Sequence, residues 1–282
     1  MEQLAVAILN GLTLTMILSL IALGLAVIFG LRGVINLAHG EFFMLGAYAV
    51  VISDQFLPKY WAGLLLAPLL IGAVGWVVER LVIRHLYAKP LDTLLATLGL
   101  SIVIREGVRM TGGAGYKYTS VPFTGNLHLL GVDYPVYRLF LIAITAAAFL
   151  LVLYFFLFTK YGVQIRASIA NREIAGALGI NTSRVDQIVF IIGSALAGFA
   201  GAIMSPIIPL SPNMGVDFFA KSFLVVIVGG VGSFSGALAG AGLIGGGESI
   251  LSSVIRPIIA QAFILLLAIV VIRFRPYGLF RK

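Results

Sequence analysis

The chain has 282 residues, 60% of them hydrophobic and only 11% charged, with a mean hydropathy of +1.09 and a formal net charge of +8. That much apolar surface exceeds what a soluble core of this length can hide, which excludes a soluble globular protein and predicts an all-α integral membrane protein. Cysteine is absent, so disulfides, thiolate metal sites and a cysteine nucleophile are excluded, and the basic residues stand singly in loops, which argues against nucleic acid and for anionic lipid headgroups.

The first apolar run, Leu4–Leu31, is too long for a signal-peptide core and lacks a basic start and a small-residue cleavage site, so it reads as a retained helix. The later runs are Val34–Ile52, Tyr60–Val78, Leu91–Ile104, Val136–Phe158, Val185–Ile208, Ser222–Val231, Ala237–Val254 and Ile258–Ile272. Since a crossing helix needs about 20 apolar residues, these runs predict a polytopic bundle of about eight or nine membrane segments, some broken or re-entrant.

At the start of the second run stand Asn36, His39, Gly40 and Glu41. Ionisable residues there are costly and raise a functional question. Helical spacing puts Asn36, His39 and Gly40 on one face and Glu41 further round, and the group suits either capping and inter-helix bonding or a role in gating and solute contact. The fourth run opens with Pro90, with Asp92 or Thr93 as possible N-cap. Thr93, Thr97 and Ser101 recur every four residues, a hydroxyl stripe that can line a polar path or bond its own helix carbonyls.

Thr111 to Pro135 is a long polar, Gly- and Tyr-containing stretch with too little apolar content for a domain. Within it Gly112–Lys117 mimics a phosphate loop, but Tyr116 stands where glycine must precede the lysine and no strand comes before it. No metalloprotease, nucleophile-elbow or paired-carboxylate motif is present, so the chain is not expected to be an enzyme or to hydrolyse ATP, and no cofactor is implied.

Between two long apolar runs lies the polar stretch Arg166–Val185. Val163 to Leu178 has the periodicity of one amphipathic helix, Gly179 fits the left-handed position after its end, and Asn181, Thr182 or Ser183 can cap the next helix. An interfacial helix lying on headgroups is the plain reading. Glu173, Ala175 and Gly179 also occupy the first, third and seventh places of a Glu-Ala-Ala-x-x-x-Gly pattern, which resembles the coupling loop of ABC-transporter permeases.

Gly229 to Gly247 is dense in glycine. The spacings Gly236/Gly240 and Gly242/Gly246 suit close helix packing, while Gly229, Gly230 and Gly232 can instead break the helix beside a conduit. Glu248 and Gln261 are embedded polar groups to which the sequence assigns no partner. Placing the loops after Val78, Phe158 and Ile272 in the cytoplasm, with Arg32 on the same side, puts Lys282, Arg281 and ten other basic residues inside and leaves Lys59, Lys221 and five others outside, a split of 12 to 7 among the 19. The C-terminus is then cytoplasmic.

Gly30–Tyr48, Pro90–Gly99, Asn171–Asn181, Gly229–Gly236 and Arg275–Phe280 together resemble the permease subunits of branched-chain amino acid ABC importers, with urea and short-amide permeases similar in the same blocks. The resemblance covers nearly the whole chain and implies a single permease domain, 1–282, in a bacterial inner membrane. It also implies a homologous second permease, two cytoplasmic ABC ATPases and a periplasmic binding protein. On this reading Arg172, Glu173, Ala175 and Gly179 couple to the ATPases, and Asn36, His39, Glu41, Thr93, Thr97 and Ser101 are pathway or gating candidates. A passive small-solute channel also suits hydroxyl stripes and broken helices, but has no use for a coupling segment. An ion-driven carrier fits less well, because embedded carboxylates are few.

Overall fold

The computed structural model describes residues 2–56, 60–87, 89–129, 131–275 and 277–280. Lys59, Pro276, Arg281 and Lys282, which enter the charge count or the C-terminal block, lie outside the described residues. Helices dominate because a backbone in hydrocarbon must satisfy its own hydrogen bonds. In chain order they are α1 (Glu2–Arg32), α2 (His39–Phe56), α3 (Tyr60–Leu81), α4 (Pro90–Gly112), α5 (Val136–Phe158), α6 (Lys160–Ala170), α7 (Arg172–Ala177), α8 (Thr182–Met204), α9 (Met214–Gly229), α10 (Phe234–Ala241), α11 (Gly247–Ser252) and α12 (Pro257–Phe274). Among the described residues, five helices are long and apolar enough to cross a membrane: α1, α3 with its following turn, α5, α8 and α12.

Helix α1 is the axis of the bundle, and Ile17 to Ile28 are buried all round. Helix α8 lies antiparallel beside it and also packs on α2 and α3. Apolar attraction does not drive helices together in lipid, so contact depends on close approach. A Cβ built on Gly24 would meet the Gly193 carbonyl oxygen at 2.8 Å, so at this crossing the two backbones touch. Helices α5 and α12 are peripheral: α12 exposes most of its apolar side chains, and of those on α5 only Tyr137, Leu141, Phe149 and Phe156 are buried.

Three expectations change, and the 111–135 stretch gains a hairpin. The second helix starts at His39, not Val34, and residues 33–38 form an irregular segment. Helix α4 is capped at Lys89, with Pro90 at the first helical position, so Asp92 and Thr93 lie inside it; proline's preset φ starts the helix earlier than the side-chain caps would. The 111–135 stretch holds an antiparallel hairpin, β1 (Asn126–Leu129) and β2 (Val132–Pro135), tied to α1 by buried Tyr134, whose hydroxyl lies 3.1 Å from Thr13 Oγ1 and donates to Asn10 Oδ1. The run 237–254 is α10 and α11 joined through a π-helical turn, Gly242–Gly246.

The glycine-rich stretch both packs closely and breaks the helix. Helix α9 ends at Gly229, with Gly230 at φ +107°, and a Cβ on Gly236 would collide with the Gly229 backbone. The carbonyls of Val228 and Gly229, left open by this ending, accept from the amides of Leu279 and Phe280 at 2.9 and 3.2 Å. The C-terminal residues thus lie on the end of α9, close to where Gly30 of α1 meets Gly232.

Candidate coupling surface and intramembrane polar site

The expected amphipathic helix is two helices. Asn171 has an extended backbone (φ −157°, ψ 109°), and its side chain accepts from the Ile174 amide at 3.0 Å, ending α6 and capping α7. Asparagine does this because its side chain offers the backbone an alternative to the next helical bond. Helix α7 then closes as the sequence implies. Gly179 is left-handed (φ +84°), its amide donates to Gly176 and that of Ile180 to Ala175, both at 3.0 Å, the paired pattern of a Schellman ending. Asn181 caps α8 through the Arg184 amide at 3.0 Å.

The four coupling candidates divide by direction. Ala175 is 2% exposed and packs inward, while Glu173 and Gly179 face out. Ile174 and Leu178 are 58% and 76% exposed, an apolar pair on a polar segment. Arg172 turns back toward the bundle: Nη1 and Nη2 donate to Asp186 Oδ1 and Oδ2 at 2.8 and 2.9 Å. Asp186, on α8, also accepts from Arg32 at the end of α1, and its side chain is 1% exposed. The Arg32 guanidinium lies 4.1 Å from the ring centre of Tyr87. One carboxylate therefore ties α7 to both central helices. Sequence reading missed Asp186 and Tyr87, although an acidic residue one turn into an apolar helix is a visible signal.

Residues 33–41 form the second site. Arg32 sits at one end of α1, yet His39 Nε2 lies 3.2 Å from the carbonyl oxygen of Ile21, eleven residues or about 16 Å back along the same helix. The irregular segment therefore runs along the bundle interior and α2 begins partway through it. Backbone polar groups at that depth need protein partners. The Asn36 side chain accepts from the Ala38 amide at 3.1 Å, and Thr97 Oγ1 accepts from the Leu37 amide at 3.2 Å. Asn36 precedes α2, so it does not share a helical face with His39 and Gly40.

The structure brings the two sets of pathway candidates together. Ser101 Oγ donates to Glu41 Oε1 at 2.8 Å, so the stripe on α4 faces the 36–41 segment. Two of these hydroxyls also bond locally: Thr97 donates to Leu94 of its own helix at 3.0 Å, and Thr93 to Lys89 at 3.0 Å and Leu86 at 2.6 Å in the turn before it. Across the segment, a Cβ on Gly40 would collide with the Gly215 carbonyl, and one on Gly215 would come within 2.6 Å of Glu41 Oε2. Asn36, His39 and Glu41 are 2%, 0% and 1% exposed, and Asn36 Nδ2, His39 Nδ1 and Glu41 Oε2 have no hydrogen-bond partner among the described residues. Three unsatisfied polar atoms so close together are unusual in a settled core.

Glu248 and Gln261 do have partners. Lys221 Nζ and Gln261 Nε2 both donate to Glu248 Oε1, at 2.7 and 3.0 Å. The lysine comes from α9, 27 residues away in sequence.

The family model described as "Branched-chain amino acid transport system / permease component" matches residues 7–272. The high-affinity branched-chain amino acid transport system permease protein LivH of Escherichia coli K12 is 29% identical, over 93% of this chain and 91% of its own. The corresponding protein BraD of Pseudomonas aeruginosa is 28% identical, over 96% and 93%. The permease protein LivM of Escherichia coli K12 is 26% identical, over 78% of this chain and 58% of its own. No solved structure matches the chain significantly.

Proposed function

The chain belongs to the branched-chain amino acid transport permease family, and from that premise we propose that it is the translocation subunit of an ATP-driven importer of branched-chain amino acids. The observation that carries the coupling role is the short exposed helix α7, apolar at Ile174 and Leu178 and anchored through Arg172, Asp186 and Arg32. A helix that only lay on headgroups would not need an ionic tie to both central helices. Two ABC ATPases would receive α7 in a surface cleft, with Gly179 setting its end and Glu173 on its outer side.

The end of the bundle that bears α7 also gathers Arg32, Arg80 and Arg84, and by the positive-inside rule that end would face the cytoplasm, the C-terminus with it. Helix α1 then starts on the other side, where a periplasmic binding protein would deliver the solute. The likeness to both LivH and LivM supports pairing with a homologous second permease.

Mechanically, closure of the ATPase pair pushes α7. The buried carboxylate of Asp186 passes that displacement to α1 and α8, and Arg32 passes it into residues 33–41, which hold Asn36, His39 and Glu41. This segment has discrete side-chain and backbone partners and three unsatisfied polar atoms, so a small shift can exchange one bonding set for another. Thr97 and Ser101 are the partners on α4 that such a shift would release or engage.

Proteoliposomes test the reading. The chain with its second permease, ATPases and binding protein should accumulate leucine only with ATP inside, and the chain alone should be inert. ATP-independent flux through the chain alone would make it a channel. Uptake of urea but not leucine would move the substrate to short amides.

A further inference from the structure

Helices α9, α11 and α12 enclose a cleft of about 530 Å³ with an unusual lining for a membrane bundle. Lys221 stands in the middle of α9 and is paired with Glu248 of α11, beside Gln261 of α12. Asp217 lies one helical turn before Lys221 on the same face, exposed, with no hydrogen bond or ion pair among the described residues. Phe218, Leu224 and Ile264 supply apolar walls. Ionisable side chains at membrane depth face protein or water and mark solute paths, because lipid gives their charge no compensation. The Lys221 side chain keeps 27% of its surface exposed, so the protomer leaves this group open.

The polar site lies across α9 from the cleft: α9 carries Gly215 against Glu41, and Arg109 Nη2 of α4 donates to Asn213 Oδ1, just before α9, at 3.2 Å. Glu41 and Ser101 lie on one side of α9 and Lys221 and Glu248 on the other.

We propose that this cleft is a solute subsite on the translocation path that takes the charged backbone of an α-amino acid. Lys221 receives the carboxylate and Asp217 the ammonium group, while an aliphatic side chain lies among Phe218, Leu224 and Ile264. An ammonium has three donors and Glu248 takes one, so two remain for a ligand. Residues four apart on a helix have Cβ atoms about 6 Å apart, which suits the two ends of a zwitterion. Urea has no such pair of charges, so this subsite selects amino acids over neutral amides. The proposal rests on the importer reading and deepens it.

The test uses the assembled transporter in proteoliposomes with radiolabelled leucine. Lys221→Gln is expected to slow uptake per assembled complex about tenfold or more, the size of a lost charge-assisted contact. The exchange Lys221→Glu with Glu248→Lys keeps an ion pair but moves the positive charge, and is expected not to restore uptake. Restoration by the exchange would make the pair structural and overturn the subsite, as would normal uptake by Lys221→Gln. Should Lys221→Gln not assemble, Ala220→Cys in the otherwise cysteine-free chain is expected to react with a water-soluble thiol reagent, and leucine in excess to slow that reaction. A cysteine that water-soluble reagents cannot reach, or that leucine leaves unprotected, would overturn the proposal. Absence of leucine uptake in the unmodified transporter would instead sink the importer reading, so the two failures are told apart.

Discussion

Asp186→Asn is the perturbation that most directly separates a mechanical tie from an incidental surface pair. Asparagine keeps the shape but removes the charge that two guanidinium groups share, and it replaces one accepting oxygen with a donor that faces an arginine. The carboxylate is 1% exposed while Arg32 and Arg172 keep 20% and 28% of their side-chain surface, so the lost interaction lies between the surface and buried cases. Removing one member of a buried pair costs about 3 to 5 kcal/mol, and exposed pairs are worth up to about 1. With both arginines partly solvated, about 3 kcal/mol is the reasonable figure, roughly a hundredfold in the docking equilibrium of α7. Ala175 reports on it, because at 2% exposure it is covered only while α7 is docked. A cysteine at Ala175 should be protected from a thiol reagent in the native background and react roughly a hundredfold faster with Asp186→Asn, with reagent dilute enough that opening and closing are fast relative to labelling. Arg32→Ala should do less, since Arg172 keeps both its bonds. Unchanged protection of the cysteine in Asp186→Asn would refute the tie and with it the route from α7 to the central helices.

Three further outcomes are expected. Gly40→Ala places a methyl group into the Gly215 carbonyl and should cost at least the 1–3 kcal/mol typical of overpacking, seen as a lower melting temperature in detergent, whereas Gly99→Ala, with open space around it, should be neutral. Glu41→Gln retains an oxygen for the Ser101 hydroxyl, so expression and assembly should hold while transport is lost; normal ATP-driven uptake would return the 36–41 group to a packing role. Gly179→Ala meets no neighbour, and its left-handed backbone should cost about 1 kcal/mol, leaving the chain in the membrane but weakening ATPase association; full substrate-stimulated ATP hydrolysis with co-purified ATPases would remove this glycine from the coupling geometry.

Sequence by itself determined what depends on composition and on neighbours along the chain. Apolar runs predict crossing helices because lipid leaves the backbone no other partner. The left-handed end at Gly179 and a cap within Asn181–Ser183, filled by Asn181, were legible because a helix terminus is satisfied within four residues of itself. The motif blocks likewise carried the family, since they lie in order along nearly the whole chain. Local periodicity misled where a side chain or a distant element competed with it. Asn171 breaks a pattern that reads as one helix, and residues 33–38 stay irregular because Asn36 and Thr97 supply partners that a helix would otherwise make for itself. Tertiary structure alone decided the pairings that give the polar residues their meaning. Asp186 meets Arg32 across 154 residues, Ser101 meets Glu41 across 60, and Lys221 meets Glu248 across 27. No spacing rule links such positions; they meet because small residues such as Gly24 and Gly193 let central helices touch, and that approach sets which charged groups face one another at each depth.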